Sequence, residues 1–193
     1  DASYDSVIPI DLSSLVPLAA CPHSPGNIKQ LKELSGTRVN QVCIGSCTNG
    51  SYRDIMTVAS MLRGKKIAPH VSLGVACGSR QVLAMTGRNG ALADIIEAGG
   101  RILETACGFC IGNSFAPATE GVSMRTSNRN FYGRSGTTSA QVFLVSPESA
   151  VACALAGEAV SPMEYFKGVD APDVQEPAAF DIDDSMIIEP PSD

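Results

Sequence analysis

Residues 39–63, VNQVCIGSCTNGSYRDIMTVASMLR, decide the fold of this chain. The first part, VNQVCIG (39–45), is an apolar, β-branched run that is typical of a buried strand. A polar turn follows, and the apolar residues of 52–63 then recur at the spacing of one buried helical face. The stretch therefore predicts a strand, a turn and a helix in direct succession.

The same alternation continues towards the end of the chain. Strands alternating with helices of this length are typical of parallel β-structure, so we predict an α/β fold: a layered domain with a mainly parallel sheet flanked by helices. Ser146, Pro147 and Gly157 fit the N-cap, first turn and end of the last long helix. The further predicted strands are 70–76, 101–106, 121–127 and 141–146, and the further predicted helical segments are 80–99, in two pieces, and 148–157.

The distribution of proline suggests the domain boundaries. Residues 1–27 are proline-rich and predict an extended lead-in from a preceding domain. Residues 28–167 form the α/β domain, which we expect to open with a short helix at 28–35 ending at Gly36. Residues 168–193 are rich in Pro and Asp and predict a linker without a core of its own.

Composition excludes several classes of function. The net charge of −6 argues against a nucleic-acid-binding surface, which needs a cationic field. No apolar run approaches the roughly 20 residues that span a bilayer. The 7 cysteines are an odd count in a chain without secretory features, so we expect reduced thiols and a cytoplasmic or organellar location.

Three polar turns rich in Gly, Ser or Asn follow predicted strands, at 45–51, 107–114 and 128–136. In open α/β sheets, ligands bind outside the carboxyl ends of the strands. Because two of these turns carry cysteines, we expect a binding site with thiols at this edge of the sheet.

Cys107 and Cys110 form a C-x-x-C pair, which alone is compatible with a thiol–disulfide catalyst, a zinc site, an iron–sulfur site or two buried small residues. Zinc is disfavoured because His23 and His70 are isolated and the chain has no second C-x-x-C pair.

Cys47 lies within the first polar turn and is better placed as a ligand than Cys43, which lies inside the apolar strand. Buried structural roles are the preferred interpretation for Cys21, Cys77 and Cys153.

Arg129 and Arg134 lie five residues apart in a glycine-containing loop. Guanidinium groups bind carboxylates through paired hydrogen bonds, so two on one loop could hold a di- or tricarboxylate. The alternative is a pair of solvated surface arginines.

Together, four segments resemble the aconitase superfamily, which includes aconitate hydratases and isopropylmalate dehydratase large subunits. The resemblance covers roughly residues 9–166 and corresponds to the family's third, cluster-binding domain. The tail resembles the start of a linker towards a swivelling domain that is missing here. The four segments are IGSCTN (44–49), ACGFCIG (106–112), SNRNFYGR (127–134) and VSPE (145–148).

This resemblance implies that Cys47, Cys107 and Cys110 are the thiolate ligands of a [4Fe–4S] cluster. Three thiolates for four irons leave one iron open as a Lewis acid. If this is correct, the three thiols should meet at one edge of the sheet.

The resemblance also implies substrate contacts from Asn128, Arg129 and Arg134. The reaction would be the reversible dehydration and hydration of a hydroxy-polycarboxylic acid. Within the family, CGFCIG (107–112) resembles aconitate hydratase, which predicts citrate and isocitrate, interconverted through cis-aconitate in the tricarboxylic acid cycle, as substrates. An isopropylmalate- or homoaconitate-type dehydratase, a non-catalytic metal-binding module and a thiol-redox protein are the alternatives.

No catalytic acid or base of the family has a match in this chain, so we expect the fragment alone to be inactive. Its implied partners are a small di- or tricarboxylate and the remaining aconitase domains, in cis or as a small swivel subunit in trans. Neither nucleic acid nor membrane is an expected partner.

Overall fold

The computed structural model describes residues 2–167, 172–185 and 187–191. Strands and helices alternate along most of this chain, as the sequence predicts. The strands are β1 (Leu18–Ala20), β2 (Ile28–Gln30), β3 (Gln41–Gly45), β4 (Ser72–Ala76), β5 (Arg101–Ile102), β6 (Val122–Arg125) and β7 (Gln141–Leu144). The helices are α1 (Tyr52–Leu62), α2 (Arg80–Arg88), α3 (Ala91–Glu97), α4 (Gly108–Ile111), α5 (Pro147–Ala156) and α6 (Pro162–Tyr165).

All seven strands form one sheet in the order β2-β1-β7-β6-β3-β4-β5. Strands β3 to β7 are parallel to one another. Strand β1 pairs antiparallel with β7, and β2 pairs antiparallel with β1 at the edge of the sheet. The strands that follow the central pair lie on opposite sides of it: β4 and β5 lie beyond β3, and β7 lies beyond β6. A crevice at such a switch point is where α/β sheets bind ligands.

The helix ends follow from their capping residues. Ser51 begins α1: its hydroxyl accepts from the amide of Asp54, whose carboxylate accepts from the amide of Ser51. This reciprocal arrangement satisfies two amides that have no partner within the helix. Helix α5 begins as predicted, with the Ser146 hydroxyl accepting from the amide of Ser149, and ends at Gly157 with φ 80°.

Two apolar clusters lie on opposite faces of the sheet. Alternate residues of a strand point to opposite faces, so Val42 and Ile44 join the main core while Cys43 joins the smaller cluster. The main core also takes in buried residues of α1, α3 and α5. The smaller cluster pairs Cys43 with Ala76, Phe109 and Phe115, and it lies beneath the turn that carries the C-x-x-C pair.

The amino-terminal part of the chain differs from the prediction. The expected helix at 28–35 is instead strand β2 followed by a 3-10 turn, Leu31–Leu34. Strand β2 pairs with β1, which lies within the predicted lead-in. Pairing between the two segments therefore overrides the local helical pattern.

The strand expected at 101–106 is limited to Arg101–Ile102, and the following residues lead into α4, which was not predicted. Of the predicted linker 168–193, residues 168–171, 186, 192 and 193 lie outside the described residues, and the described remainder contains neither helix nor strand. Within the described ranges, no helix is both long and apolar enough to cross a membrane.

Candidate functional site at the switch point

The loop after β3 makes a tight turn that requires glycine. Gly45 has φ 93°, and a Cβ at this residue would lie 1.9 Å from the carbonyl oxygen of Ala76. The next residue, Ser46, has φ 76°, an uncommon conformation for a residue with a side chain. Its amide donates to the same Ala76 carbonyl at 2.8 Å. This strained turn exposes Cys47 at the carboxyl edge of the sheet.

Hydrogen bonds hold this loop to the loop after β6. The amide of Gly45 donates to Oγ1 of Thr126 at 2.8 Å, and Nδ2 of Asn49 donates to the Thr126 carbonyl at 2.8 Å. On the other side, the amide of Gly78, after β4, donates to the Gly50 carbonyl at 2.8 Å. The three central loops are therefore fixed relative to one another.

A cavity of about 110 Å³ lies at this edge and contains two of the three predicted cluster ligands. Cys47 comes from the loop after β3, and Cys107 comes from the loop after β5. The two are 60 residues apart in sequence, so their convergence is a property of the fold. The residues that line the cavity are Ser46, Cys47, Cys77, Gly78, Thr105, Ala106 and Cys107.

Cys110 lies on the short helix α4 and is buried. Gly112 ends this helix with φ 77°, and a Cβ there would lie 2.8 Å from the amide nitrogen of Gly136. This close approach packs the cysteine turn against the loop that carries Arg134. Arg134 donates from Nε to the Cys110 carbonyl at 3.1 Å and from Nη2 to the Cys110 sulfur at 3.4 Å.

The predicted ligands do not form a site for a single metal ion in the described part of the chain. Among the described residues, no three His, Cys, Asp or Glu side chains are arranged to hold a metal ion. A single ion needs ligands that converge in this way. Three ligands of an iron–sulfur cubane bind three different irons, so their sulfurs need not meet at one point. The donor chemistry, which is thiols on two adjacent turns, fits such a cluster.

Two orphaned hydroxyls support a ligand at this edge. Ser46 Oγ and Ser127 Oγ are buried without a hydrogen-bond partner in the described part of the chain. Ser46 lines the cavity with Cys47 and Cys107, and Ser127 follows β6 at the switch point. Buried polar groups usually have partners, so an unpaired pair at a crevice indicates a site for a polar or ionic group.

The cysteines divide into two electrostatic classes. A hydrogen bond from Thr48 is the largest influence on the exposed Cys47 thiol and lowers its pKa, although burial acts in the opposite direction. Burial raises the pKa of Cys43 and of Cys153 to about 11. Thiolates bind metals, so Cys47 is suited to be a ligand, whereas Cys43 and Cys153 are not. Cys21 and Cys77 are buried as well, as expected.

The other residues singled out from the sequence lie at the edge of this site or outside it. Asn128 and Arg129 are exposed just after β6, and neither side chain hydrogen-bonds to the described residues. No contact with the described residues indicates what these two side chains bind. His23 stacks edge-on against Tyr132, and Nε2 of His70 lies 3.0 Å from the Gly157 carbonyl, so each has a structural contact.

The chain matches the model of the aconitase family (aconitate hydratase) over residues 27–157. It belongs to the aconitase family. The matched range includes β2 to β7 and all three predicted ligand cysteines. The resemblance seen in the four sequence segments is therefore confirmed, and the layered α/β fold with it.

Three relatives indicate which members of the family this chain is similar to. The chain is 41% identical over 167 residues to 3-isopropylmalate dehydratase large subunit 2 of Archaeoglobus fulgidus, covering 86% of this chain and 40% of the relative. It is 42% identical over 165 residues to the homoaconitase large subunit of Thermus thermophilus, covering 85% and 40%. The 3-isopropylmalate dehydratase large subunit of Moorella thermoacetica is 39% identical over 168 residues, with 86% and 40% covered.

These relatives correct the expected subtype. The CGFCIG segment favoured the citrate–isocitrate branch, but the relatives carry the names of the isopropylmalate and homoaconitate branch. A short motif that resembles one branch is thus outweighed by identity over most of the chain. The chain spans about two fifths of the length of these relatives.

Two buried polar residues of this family member escaped the sequence analysis. Arg125, at the end of β6, is 1% exposed, and Asn130, within the loop after β6, is 0% exposed. Both lie in a polar or mixed sequence context that predicts exposure. All but one of their hydrogen-bond partners lie 12 or more residues away in sequence, so no local signal identifies them.

A second cavity of about 540 Å³ adjoins the first and shares Thr105 with it. It lies between α2 and the described part of the tail, and it contains cationic and anionic side chains. Its lining consists of Ser79, Arg80, Gln81, Ala84, Arg88, Thr105, Asp181 and Asp183.

Proposed function

We propose that this chain is the cluster-binding part of a hydro-lyase of the isopropylmalate or homoaconitate type. The substrate would be a hydroxy-polycarboxylic acid that is reversibly dehydrated. One observation carries the proposal: in a chain of the aconitase family, Cys47 and Cys107 share one cavity at the switch point of the sheet. The names of the relatives favour this branch over citrate and isocitrate.

Cys47, Cys107 and Cys110 would hold a [4Fe–4S] cluster. When bound by three thiolates, such a cluster supplies an iron without a protein ligand, which acts as a Lewis acid towards hydroxyl and carboxylate oxygens. The chain's own groups prepare the thiols. The Thr48 hydroxyl hydrogen-bonds the Cys47 sulfur, and Arg134 donates to the Cys110 sulfur. The Thr48 contact favours the thiolate form of Cys47 that metal binding requires.

Arg129, Asn128 and Arg134 would bind substrate carboxylates. Arg129 and Asn128 are exposed in the loop after β6, and loops of this kind lie at the carboxyl edge of the sheet, as the thiols do. Arg134 uses Nε and Nη2 for Cys110, and its Nη1 makes no hydrogen bond to the described residues. A guanidinium group fixed on one side in this manner presents its free donors with little loss of entropy.

Acid–base chemistry would come from elsewhere in the complete enzyme. Among the described residues, the thiol cavity is lined by Ser, Cys, Gly, Thr and Ala and by no His, Asp or Glu. A general acid or base must lie within hydrogen-bond reach of the proton that it transfers. Because the relatives are named large subunits, we propose a small subunit as the partner that completes the site. Turnover of 3-isopropylmalate, homoaconitate or citrate by the purified 193-residue chain would contradict this proposal.

Anaerobic reconstitution with iron and sulfide tests the cluster assignment. The wild-type chain should gain visible absorption and an EPR signal on reduction. Cys47→Ala should lose both, whereas the matched control Cys43→Ala, which removes a buried thiol of the same strand-turn unit, should retain them. Equal cluster yields in the two variants would refute the ligand assignment.

A further inference from the structure

Arg125 is the largest fully buried side chain in the described part of the chain, with 1% exposure. Its guanidinium group makes three hydrogen bonds. Nε donates to Ser123 Oγ at 2.9 Å, Nη2 donates to Gln41 Oε1 at 2.9 Å, and Nη1 donates to the Phe109 carbonyl at 2.6 Å. The last bond reaches the backbone between the two cysteines of the C-x-x-C turn.

The charge of Arg125 has no buried counter-charge. All three acceptors are neutral, and the ion pairs found among the described residues involve Arg53, Arg63 and Arg88 instead. Removing an unpaired ion from water costs several kcal/mol even after relaxation. Arginine does not escape this cost by losing its proton, because its pKa exceeds about 12 in water. An anion nearby would offset the cost.

The surroundings indicate where that anion binds. The ionisable groups whose charge acts on Arg125 are the thiols of Cys43 and Cys110. Cys43 is fully buried within β3 and is protonated at neutral pH, because burial raises its pKa to about 11. Cys110 directly follows Phe109, whose carbonyl accepts from Arg125, in the turn that carries two of the proposed cluster ligands. Arg125 thus contacts the turn that carries the proposed ligands, and an anionic group bound there would supply the negative charge that its guanidinium group lacks.

We propose that Arg125 is a positioning residue that holds the Cys107–Cys110 turn and supplies the buried positive charge that balances an anionic thiolate-ligated cluster. This inference rests on the proposed function. It assigns to Arg125 an effect on the cluster through the Phe109 backbone and through its field, without contact with substrate.

The backbone of the turn explains why a cation is placed there. Helix α4 comprises only Gly108–Ile111, and within the backbone the Phe109 carbonyl accepts from the Gly112 amide at 3.1 Å. Arg125 and Ser135 donate to the Phe109 carbonyl, and Arg134 donates to the Cys110 carbonyl. Side chains from β6 and from the loop that follows it thus reinforce the end of a one-turn helix. Loss of Arg125 removes the charged donor to the Phe109 carbonyl.

The reduction potential of the reconstituted cluster separates this role from a purely structural one. Reduction adds one negative charge, which a nearby fixed cation stabilises more than it stabilises the oxidised cluster. Arg125→Gln should therefore lower the ratio of reduced to oxidised cluster about tenfold at a given potential, which is about 59 mV for a one-electron couple. Arg125→Lys, which keeps the charge, should restore most of this shift.

Arg38→Gln is the matched control. It removes an exposed arginine that precedes β3, at the end of the strand opposite the site, and should leave the potential unchanged. Each variant is reconstituted in the 193-residue chain and titrated anaerobically with EPR detection, and circular dichroism checks the fold. Equal potentials for Arg125→Gln and Arg38→Gln would overturn the inference, as would a shift in Arg125→Lys as large as that in Arg125→Gln.

Two further outcomes are decisive. Should Arg125→Gln not fold, Arg125→Lys alone carries the test: a potential near that of wild type with faster loss of the cluster supports the inference, and a tenfold shift opposes it. If the wild-type chain assembles no cluster, the proposed function fails and this inference fails with it. A wild-type cluster whose potential is insensitive to Arg125 overturns only the inference.

Discussion

Asn130 provides a quantitative test of how the loop after β6 is held. Its side chain is fully buried, and Nδ2 lies within hydrogen-bond distance of three backbone carbonyls: Ala20 at 3.2 Å, Cys21 at 2.9 Å and Val142 at 3.2 Å. Its Oδ1 has no partner among the described residues. The amide group therefore joins the site loop to β1 and β7. Asn130→Asp keeps the shape of the side chain but replaces the donor with an acceptor.

The expected magnitude follows from these contacts. A buried carbonyl that loses its donor costs about 1–3 kcal/mol, so Asn130→Ala should lower the free energy of unfolding by about 2–4 kcal/mol. Asn130→Asp should cost more at neutral pH, because a carboxylate would be buried against three carbonyls.

The pH dependence has a definite sign. Burial and the facing carbonyls hold the folded-state pKa of the introduced Asp above its unfolded value of about 3.9. The variant is therefore most stable, relative to wild type, below that unfolded value. It loses stability as the pH rises through the folded-state pKa.

Urea unfolding of wild type, Asn130→Ala and Asn130→Asp at about pH 4 and about pH 7 measures both effects. Asn128→Asp is the matched control, because Asn128 is exposed in the same loop and its replacement should change stability by less than about 0.5 kcal/mol. A loss below about 1 kcal/mol for Asn130→Asp at neutral pH, or a loss that does not shrink in acid, would refute this account of the loop.

Two further perturbations test the strained turn and the buried thiols. Gly45→Ala should destabilise the chain by more than the ~1–2 kcal/mol of left-handed backbone strain, because its Cβ would also clash with the Ala76 carbonyl. In the control Gly64→Ala, the residue has φ 69° and no atom within 4 Å of the added Cβ, so the substitution should cost only the strain. Thermal unfolding compares the two variants, and equal losses of stability would contradict the role of the Ala76 contact. Cys43 has a folded-state pKa raised from 9.0 to about 11, so its contribution to stability is complete below pH 9 and disappears as the pH rises to about 11. Between pH 9 and pH 11, the free energy of unfolding of Cys43→Ala should therefore fall by about 3 kcal/mol less than that of wild type, as measured by urea unfolding. If both proteins lose the same stability over this interval, the Cys43 thiol is not protected by burial.

The parts of the fold that were predictable carry their signal locally. Strand β3 and helix α1 could be predicted because an apolar run and a helical stripe are separated by a turn and a capping residue, Ser51. Strand β2 could not, because IKQ has no strand character of its own and is extended only through pairing with β1. Helix α4 was missed for a similar reason: side chains from β6 and from the loop after it, which are distant in sequence, donate to its carbonyls.

The site was predictable in its thiols and not in its supports. Cys47 and Cys107 were identified from a turn position, a C-x-x-C pair and a family resemblance, and the structure places both in one cavity. Cys110 lies in the adjoining turn, where Arg134 donates to its sulfur. Arg134 itself was expected to face substrate, and its contact with sulfur depends on how closely two loops pack at Gly112.

The apolar core and the site depend on different sets of contacts. Core residues such as Ile44, Ile55 and Leu73 hold the sheet against its helices, and none of them touches the cavity. The loops at the carboxyl edge are held instead by polar groups, including Thr126 and Asn130, whose bonds run between strands that are distant in sequence. Substitutions in this polar set should therefore impair the site at a smaller cost in stability than core substitutions of similar size. These polar groups hold the same edge of the sheet at which Cys47 and Cys107 share a cavity, which supports this edge as the functional one.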